Sequence, residues 1–355
     1  MPKTPYLEIN LQKIKHNAQM ALKMWNKYHI DVMAITKVGL GEPYIATALL
    51  DAGIKMLGDS RIKNIIRMKK AKIDATYVLI RTPFLSDVKR VVKYADISLN
   101  TEMKVIKALA KEAKKQNTKH KIILMLEMGD RREGILPENI ERKISTILKF
   151  GSIELYGIGA NFACFGGIKP NQEKMNHLSL LAKTIENAFD MKLSIISGGN
   201  SANYHWLENH TNIGKINNIR LGESLFLGVE TLYRKSLDGF FQDSFTLVGE
   251  VIESKIKPSL PNGEIALNAF GEIPHFEDKG LMHRAIVGIG REDVDINGLI
   301  PRVDIDILGG SSDHIILDAK EENLKVGALI KFDLNYSALL SAMSSESVKK
   351  VFVEN

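Results

Sequence analysis

The sequence predicts an α/β fold, a (β/α)8 barrel followed by a C-terminal all-β domain, on three observations. Its 355 residues are long for one domain and comfortable for two. Over the first two thirds, short apolar runs alternate with segments of helical periodicity, the pattern of a parallel sheet covered by helices. Beyond about residue 240 that periodicity fades, and strand-like runs separated by turn residues take over.

The barrel strands are expected at residues 32–37, 56–60, 76–81, 97–100, 122–129, 155–162, 193–199 and 216–222. These runs are rich in Ile, Val and Leu without polar alternation, which suits strands buried on both faces. Between them lie amphipathic stripes. Ile140, Ile144, Ile147 and Leu148 form one face, with Pro137 near the helix start where a missing N–H costs least. Leu178, Leu181, Ala182, Ile185 and Phe189 form another. In the C-terminal region strands are expected at 246–252, 264–270, 285–290, 303–308, 314–318 and 328–334, and VDIDIL alternates with the period of a half-buried strand. The texture changes within 236–243, which divides the chain into a barrel domain, 1–238, and a β domain, 239–355.

Composition narrows the function. Hydrophobic residues make up 45% and charged residues 25%, ordinary for a globular protein. No apolar stretch approaches the roughly 20 residues that span a bilayer. The N-terminal segment has no apolar signal core, and the single cysteine, Cys164, cannot form an internal disulfide. A reduced, cytoplasmic setting is therefore expected. The net charge is +6, but the lysines are spread along helix faces, as in KEAKKQNTKHK at 111–121. That spread reads as solvated surface and not as a nucleic-acid footprint. The nine histidines fall in no metal-ligand spacing.

In a parallel barrel, reactive residues sit at the C-terminal ends of strands. Lys37 ends the first, after five apolar residues, and either snorkels to the surface or is functional. Asp59, Ser60 and Arg61 end the second; Arg131 and Arg132 follow the fifth; Asn161 ends the sixth. The seventh ends in SGGNSAN, with Asn200 and Ser201, and the eighth carries Arg220, Gly222 and Glu223. Glycine-bearing turns after strands seven and eight are where barrels commonly hold phosphate.

These motifs together resemble the PLP-dependent alanine-racemase-like superfamily of fold type III, most closely its ornithine-racemase branch, nearly end to end. PYLEINLQKIKHN resembles the family opening and AITKVG the strand of the Schiff-base lysine, a role the resemblance assigns to Lys37. MGDRREGI resembles the segment whose arginine meets the substrate carboxylate, here Arg132, with a surface pair to Glu133 as its alternative. GANFACFGG places Asn161 beside the cofactor ring. SGGNSAN, with Asn200 and Ser201, resembles the phosphate turn. NNIRLGESLFLG sets Arg220 at the pyridine nitrogen, with Gly222 and Glu223 at the phosphate. The resemblance implies a pyridoxal 5′-phosphate (PLP) enzyme that racemises a free amino acid, and a homodimer sharing its active sites. It also implies cationic neighbours that favour a neutral Lys37 amine.

Racemisation needs acid–base groups on both faces of Cα. Alanine racemases supply the second from a tyrosine in a GYxDG-like turn, and here GIGRED puts Ile289 there. Gly39–Glu42 stand where an aromatic follows the lysine, and Ser344 and Ser345 where a phosphate-binding tyrosine is common. Asp313 and His314 of GGSSDHIILD are the leading candidates for the second acid–base group, with Cys164 behind them. The substrate expected is a basic amino acid, ornithine before lysine. The acidic cluster Glu292, Asp293 and Asp295 is either a contact for its distal ammonium or a solvated turn. The alternatives are an alanine or broad-specificity racemase, a non-catalytic PLP-binding protein, and a decarboxylase or aldolase on the same fold.

Overall fold

The computed structural model describes residues 2–209, 212–268 and 270–354. Sixteen strands are labelled in chain order among them. They are β1 (Tyr6–Asn10), β2 (Asp31–Ile35), β3 (Met56–Asp59), β4 (Thr76–Leu79), β5 (Ile97–Asn100), β6 (His120–Leu126), β7 (Ile153–Ala160) and β8 (Ile195–Ser197). There follow β9 (Asn218–Leu221), β10 (Phe245–Pro258), β11 (Leu281–Val287), β12 (Leu299–Pro301), β13 (Asp306–Gly310), β14 (Ile315–Asp318), β15 (Leu329–Leu334) and β16 (Lys349–Val353).

Strands β2 to β9 are parallel and close into an eight-stranded barrel, each at one of the eight expected runs. Closure comes where β2 pairs with β9, from Asp31 opposite Asn218 to Ala34 opposite Leu221. The interior is packed with side chains. Met33, Val78, Ile97, Leu99, Ile123, Met125 and Ile195 form one buried cluster. Outside, the Ile140–Ile147 helix buries Ile140, Ile144 and Ile147, the stripe its spacing sets. Several expected runs extend past their strands by two or more residues, because the residues that follow a barrel strand stay buried or half-buried at its mouth.

The compact unit holding the barrel is Leu11–Gln242; the other joins the chain up to Asn10 with the chain from Asp243. The first ten residues therefore leave the barrel domain to which the 1–238 boundary assigned them. Leu7 and Ile9 are fully buried, and a closed barrel offers their strand no free edge. β1 instead pairs antiparallel with β10 and parallel with β16.

The β unit orders its strands β12-β15-β10-β11-β14-β13, with β1 on β10 and β16 on β1. β10 serves three ladders, to β1, β11 and β15, and its register with β11 shifts between Val251 and Glu253. Three expectations are corrected. Described residues of the expected strand 264–270 form no ladder, and Ile265 and Leu267 are exposed. The 303–308 run becomes a strand only from Asp306. The domain also contains a helix, Tyr336–Ser344, opened by the Asn335 side chain accepting from the Ala338 N–H and burying Ala338, Leu339, Ala342 and Met343.

Candidate active site

The barrel mouth gathers most of the residues singled out from sequence. Lys37 follows β2 and is half-buried. Its neighbour Thr36 donates to Asp59 at 2.8 Å, and the fully buried Asp59 also accepts from Asn64 Nδ2 (3.0 Å) and the Arg61 N–H (2.8 Å). Burial pushes the Asp59 carboxyl up, opposed by those hydrogen bonds and by the charge of Lys37. Burial also pushes Glu223 up, opposed by Arg234 first and Lys37 after it. From sequence, Lys37 is expected in cationic company; here two carboxyl groups sense it.

Arg220 is the centre of the arrangement. It projects from β9, is 6% exposed, and donates to Ser197 Oγ on β8 (2.6 Å), to the Ala160 carbonyl at the end of β7 (2.6 Å) and to Asn161 Oδ1 (3.3 Å). It has no carboxylate partner among the described residues. Burial accordingly pushes its guanidinium down to about 10, with Arg132 adding in the same direction and Cys164 and Glu133 opposing. Beside it, the Asn161 Nδ2 is buried with no hydrogen-bond partner. A buried donor left unpaired costs about 1–3 kcal/mol, so it points to a missing acceptor.

Asn200 ties this group to the turn after β8. Its Nδ2 donates to Asn161 Oδ1 (3.1 Å) and the Phe162 carbonyl (2.8 Å), and lies 3.5 Å from Cys164 Sγ. Its Oδ1 accepts from the Ala202 N–H at 2.8 Å, and its own N–H donates to Asn203 Oδ1 at 3.0 Å, a reciprocal cap. Gly199 has φ +141°, and a Cβ there would lie 2.2 Å from Asn203 Oδ1, so only glycine admits the cap. Ser201 Oγ lies 3.1 Å from Ser224 Oγ, stitching the β8 and β9 turns together. Gly222 lies against Ile35 of β2, whose Cβ would be 3.3 Å from an added Cβ. Lys37, Gly222 and Glu223 thus belong to neighbouring strand ends. The Glu223 carboxylate pairs with Arg234, which leaves its main chain as the part able to meet an anion.

The loop after β6 brings in Arg132. Buried Asp130 accepts from the N–H groups of Cys164 (3.3 Å), Phe165 (3.1 Å) and Ile168 (3.4 Å), locking this loop to the one after β7. Arg132 pairs with Glu133, and its side chain is 41% exposed. The charge of Arg132 reaches Arg220. Asp130, Ser197 and Ser224 were not picked out from sequence; Ser197 and Ser224 lie inside SGGNSAN and LGES, and Asp130 inside MGDRREGI.

In the β unit, Asp313 and His314 form a dyad in the turn between β13 and β14. Asp313 Oδ1 accepts from Ser311 Oγ (3.1 Å), Ser312 Oγ (3.1 Å) and His314 Nδ1 (2.9 Å). The Ser311 hydroxyl, foremost, then Ser312 and His314, hold the Asp313 carboxyl below its usual range. The GIGRED turn packs on this one. The N–H groups of Arg291 and Glu292 donate to the Ser311 and Ser312 carbonyls, both at 3.0 Å, and a Cβ on Gly290 would meet Ser312 O at 2.1 Å. Ile289 is fully buried against Gly249 and is a core residue. The acidic cluster divides. Asp293 is buried and accepts from the Gly290 N–H (3.2 Å) and Ser345 Oγ (3.2 Å); Asp295 caps a turn and accepts from Ser337 Oγ (2.6 Å). Glu292 alone is exposed. Among the described residues no group of three His, Cys, Asp or Glu could hold a metal ion.

The family profile described as alanine racemase, N-terminal domain, matches residues 9–229. The chain is 39% identical to an ornithine racemase of Acetoanaerobium sticklandii, covering 98% of this chain and 99% of the relative. It is 38% identical to a lysine racemase of Thermotoga maritima, covering 98% of each. Among solved structures, alanine racemase from Bartonella henselae with covalently bound pyridoxal phosphate superposes with TM-score 0.76 at 16% identity, over 99% of this chain and 100% of that one.

Proposed function

The chain belongs to the alanine racemase N-terminal domain family, and from that premise we propose that it interconverts the L- and D-forms of a basic amino acid, ornithine first and lysine second, with PLP as cofactor. The relatives named ornithine racemase and lysine racemase support the substrate class, and the PLP-bearing Bartonella enzyme supports the cofactor. The observation that carries the reading is Arg220, buried without a carboxylate beside the unpartnered Asn161 Nδ2. Both fit a cofactor that offers acceptors.

Bound PLP withdraws electrons from the amino acid's Cα and weakens its bond to hydrogen. Lys37 would hold the cofactor, and its amine, free once the substrate amine has taken that place, would take and return the proton on one side of Cα. Arg220 stays protonated at neutral pH, so it would donate to the ring nitrogen without giving up a proton, which would favour simple proton exchange over transamination. Asn161 Nδ2 would supply a donor to the cofactor. Asn200, Ser201, Gly222 and the main chain of Glu223 hold the phosphate. Arg132 exchanges Glu133 for the substrate carboxylate, a planar fork on a planar anion. Asp313 and His314 of a second subunit serve the other side of Cα in a homodimer, with Cys164 the competing candidate. A cytoplasmic setting is consistent with the free Cys164 and with the absence, among the described residues, of a helix long and apolar enough to cross a membrane.

The test is spectroscopic. Lys37→Ala should lose the visible absorbance of the bound cofactor, and borohydride treatment of the parent should leave the cofactor's mass on the peptide containing Lys37. The same mass on another lysine would overturn the assignment.

A further inference from the structure

The side chain of Arg61, noted after β3, takes no part in the site above. It lines a separate cavity of about 370 Å3 in the barrel unit, with Lys63, Arg81, Arg90, Phe84 and Asp87 among its walls. Four cations face one carboxylate, and that carboxylate, Asp87, is already paired with Arg90. Arg61, Lys63 and Arg81 have no acidic partner within ion-pair distance among the described residues. Arg81 is half-buried, and its guanidinium lies 4.2 Å from the centroid of the Phe84 ring. That cation–π contact restrains the guanidinium before any ligand arrives. The Arg61 backbone N–H is held by Asp59 at 2.8 Å, which anchors the base of its side chain.

Like charges converging on one concavity repel one another, and low-dielectric walls focus their field outward. The arrangement is relieved by an anion in the cavity. A carboxylate offers two oxygens, whereas a phosphate group offers three strong acceptors to a set of converging donors. The volume falls within the roughly 300–1,000 Å3 of small-molecule sites and exceeds what one phosphate fills. We propose that this cavity binds a compact phosphorylated small molecule carrying at least two negative charges, at a site distinct from the residues proposed to hold the cofactor. The inference does not rest on the racemase reading.

Calorimetric titration of the purified protein with pyrophosphate, in low-salt buffer free of phosphate and sulfate, tests it. One saturable event per chain is expected at this cavity, with a Kd on the order of 1 mM or tighter. Arg81→Gln and Arg61→Gln should each weaken it by about tenfold or more, the effect of losing a charged hydrogen bond. Lys63→Gln, at an exposed position that leaves folding untouched, should also weaken it. Ser201→Ala, in the cofactor's proposed phosphate turn, should not. Absence of a saturable event, parent-like binding by Arg81→Gln and Lys63→Gln, or loss of the event only in Ser201→Ala would overturn the proposal. Citrate binding as tightly as pyrophosphate would overturn the assignment to phosphate.

Discussion

Replacing Arg220 by methionine separates a residue kept for the site from one kept for the fold. Burial holds the guanidinium at about 10 instead of 12.5. The charged form is therefore disfavoured in the folded state at every pH below about 10. At about 1.4 kcal/mol per pH unit, that costs the fold roughly 3 kcal/mol at neutral pH. Methionine removes this cost and keeps most of the length. Against it stand the lost hydrogen bonds. Asn161 Oδ1 retains Asn200, and Ser197 Oγ retains Asn218, so the Ala160 carbonyl is the acceptor left to count, at about 1–3 kcal/mol. The terms nearly cancel. Arg220→Met should stay within about 2 kcal/mol of the parent, a Tm change of roughly 8 °C at most. Racemisation, in contrast, should fall about 100-fold, the usual loss of a preorganised charged donor. Thermal unfolding and a chiral assay on the same sample provide both numbers. A Tm drop beyond about 15 °C with undiminished turnover in the folded fraction would show that Arg220 is structural.

Further outcomes are expected. Asp313→Asn and His314→Asn should each abolish racemisation yet leave Cα deuterium exchange from one enantiomer, because Lys37 still works its side. Exchange from both enantiomers unchanged would move the second acid–base role elsewhere, with Cys164→Ser the next variant to try. His120 is buried against Ser98 at 2.8 Å, and burial holds its imidazole down at about 4. The unfolded chain takes up that proton near 6.5 and the folded chain only near 4, so this residue makes stability fall as pH falls through that window, by about 3 kcal/mol. His120→Gln should flatten that part of the Tm–pH curve, and a curve parallel to the parent's would contradict it. Arg220→Glu should lower racemisation and raise transamination, and unchanged partitioning would contradict the role given to Arg220.

The barrel was legible because eight continuous apolar runs leave few other ways to bury themselves. Lys37, Arg132, Asn161, Arg220 and the SGGNSAN turn could be singled out for a related reason, that strand ends in a parallel barrel converge, while their roles came from the family resemblance. What stayed hidden depended on distant partners. YLEIN reads the same whether it joins a barrel or the β10 ladder. Asp293 and Asp295 read as either an ammonium contact or a solvated acidic turn, because Ser345 and Ser337, which hold them, lie more than forty positions onward. The 264–270 run looked like a strand between turn residues, yet its described residues found no ladder. The Tyr336–Ser344 helix was missed because serine and alanine blur its stripe, although Asn335 supplied a cap. That Arg220 lacks a carboxylate could not be read from sequence at all, since an absent partner leaves no motif.

The most direct test is a comparison of kcat/KM for D- and L-ornithine, lysine, alanine and serine by chiral chromatography, using the parent and Lys37→Ala. The parent should racemise ornithine best and lysine next, and Lys37→Ala should racemise none of them. A preference for alanine by more than about tenfold, roughly 1.4 kcal/mol of transition-state discrimination, or racemisation surviving in Lys37→Ala, would contradict the proposed function.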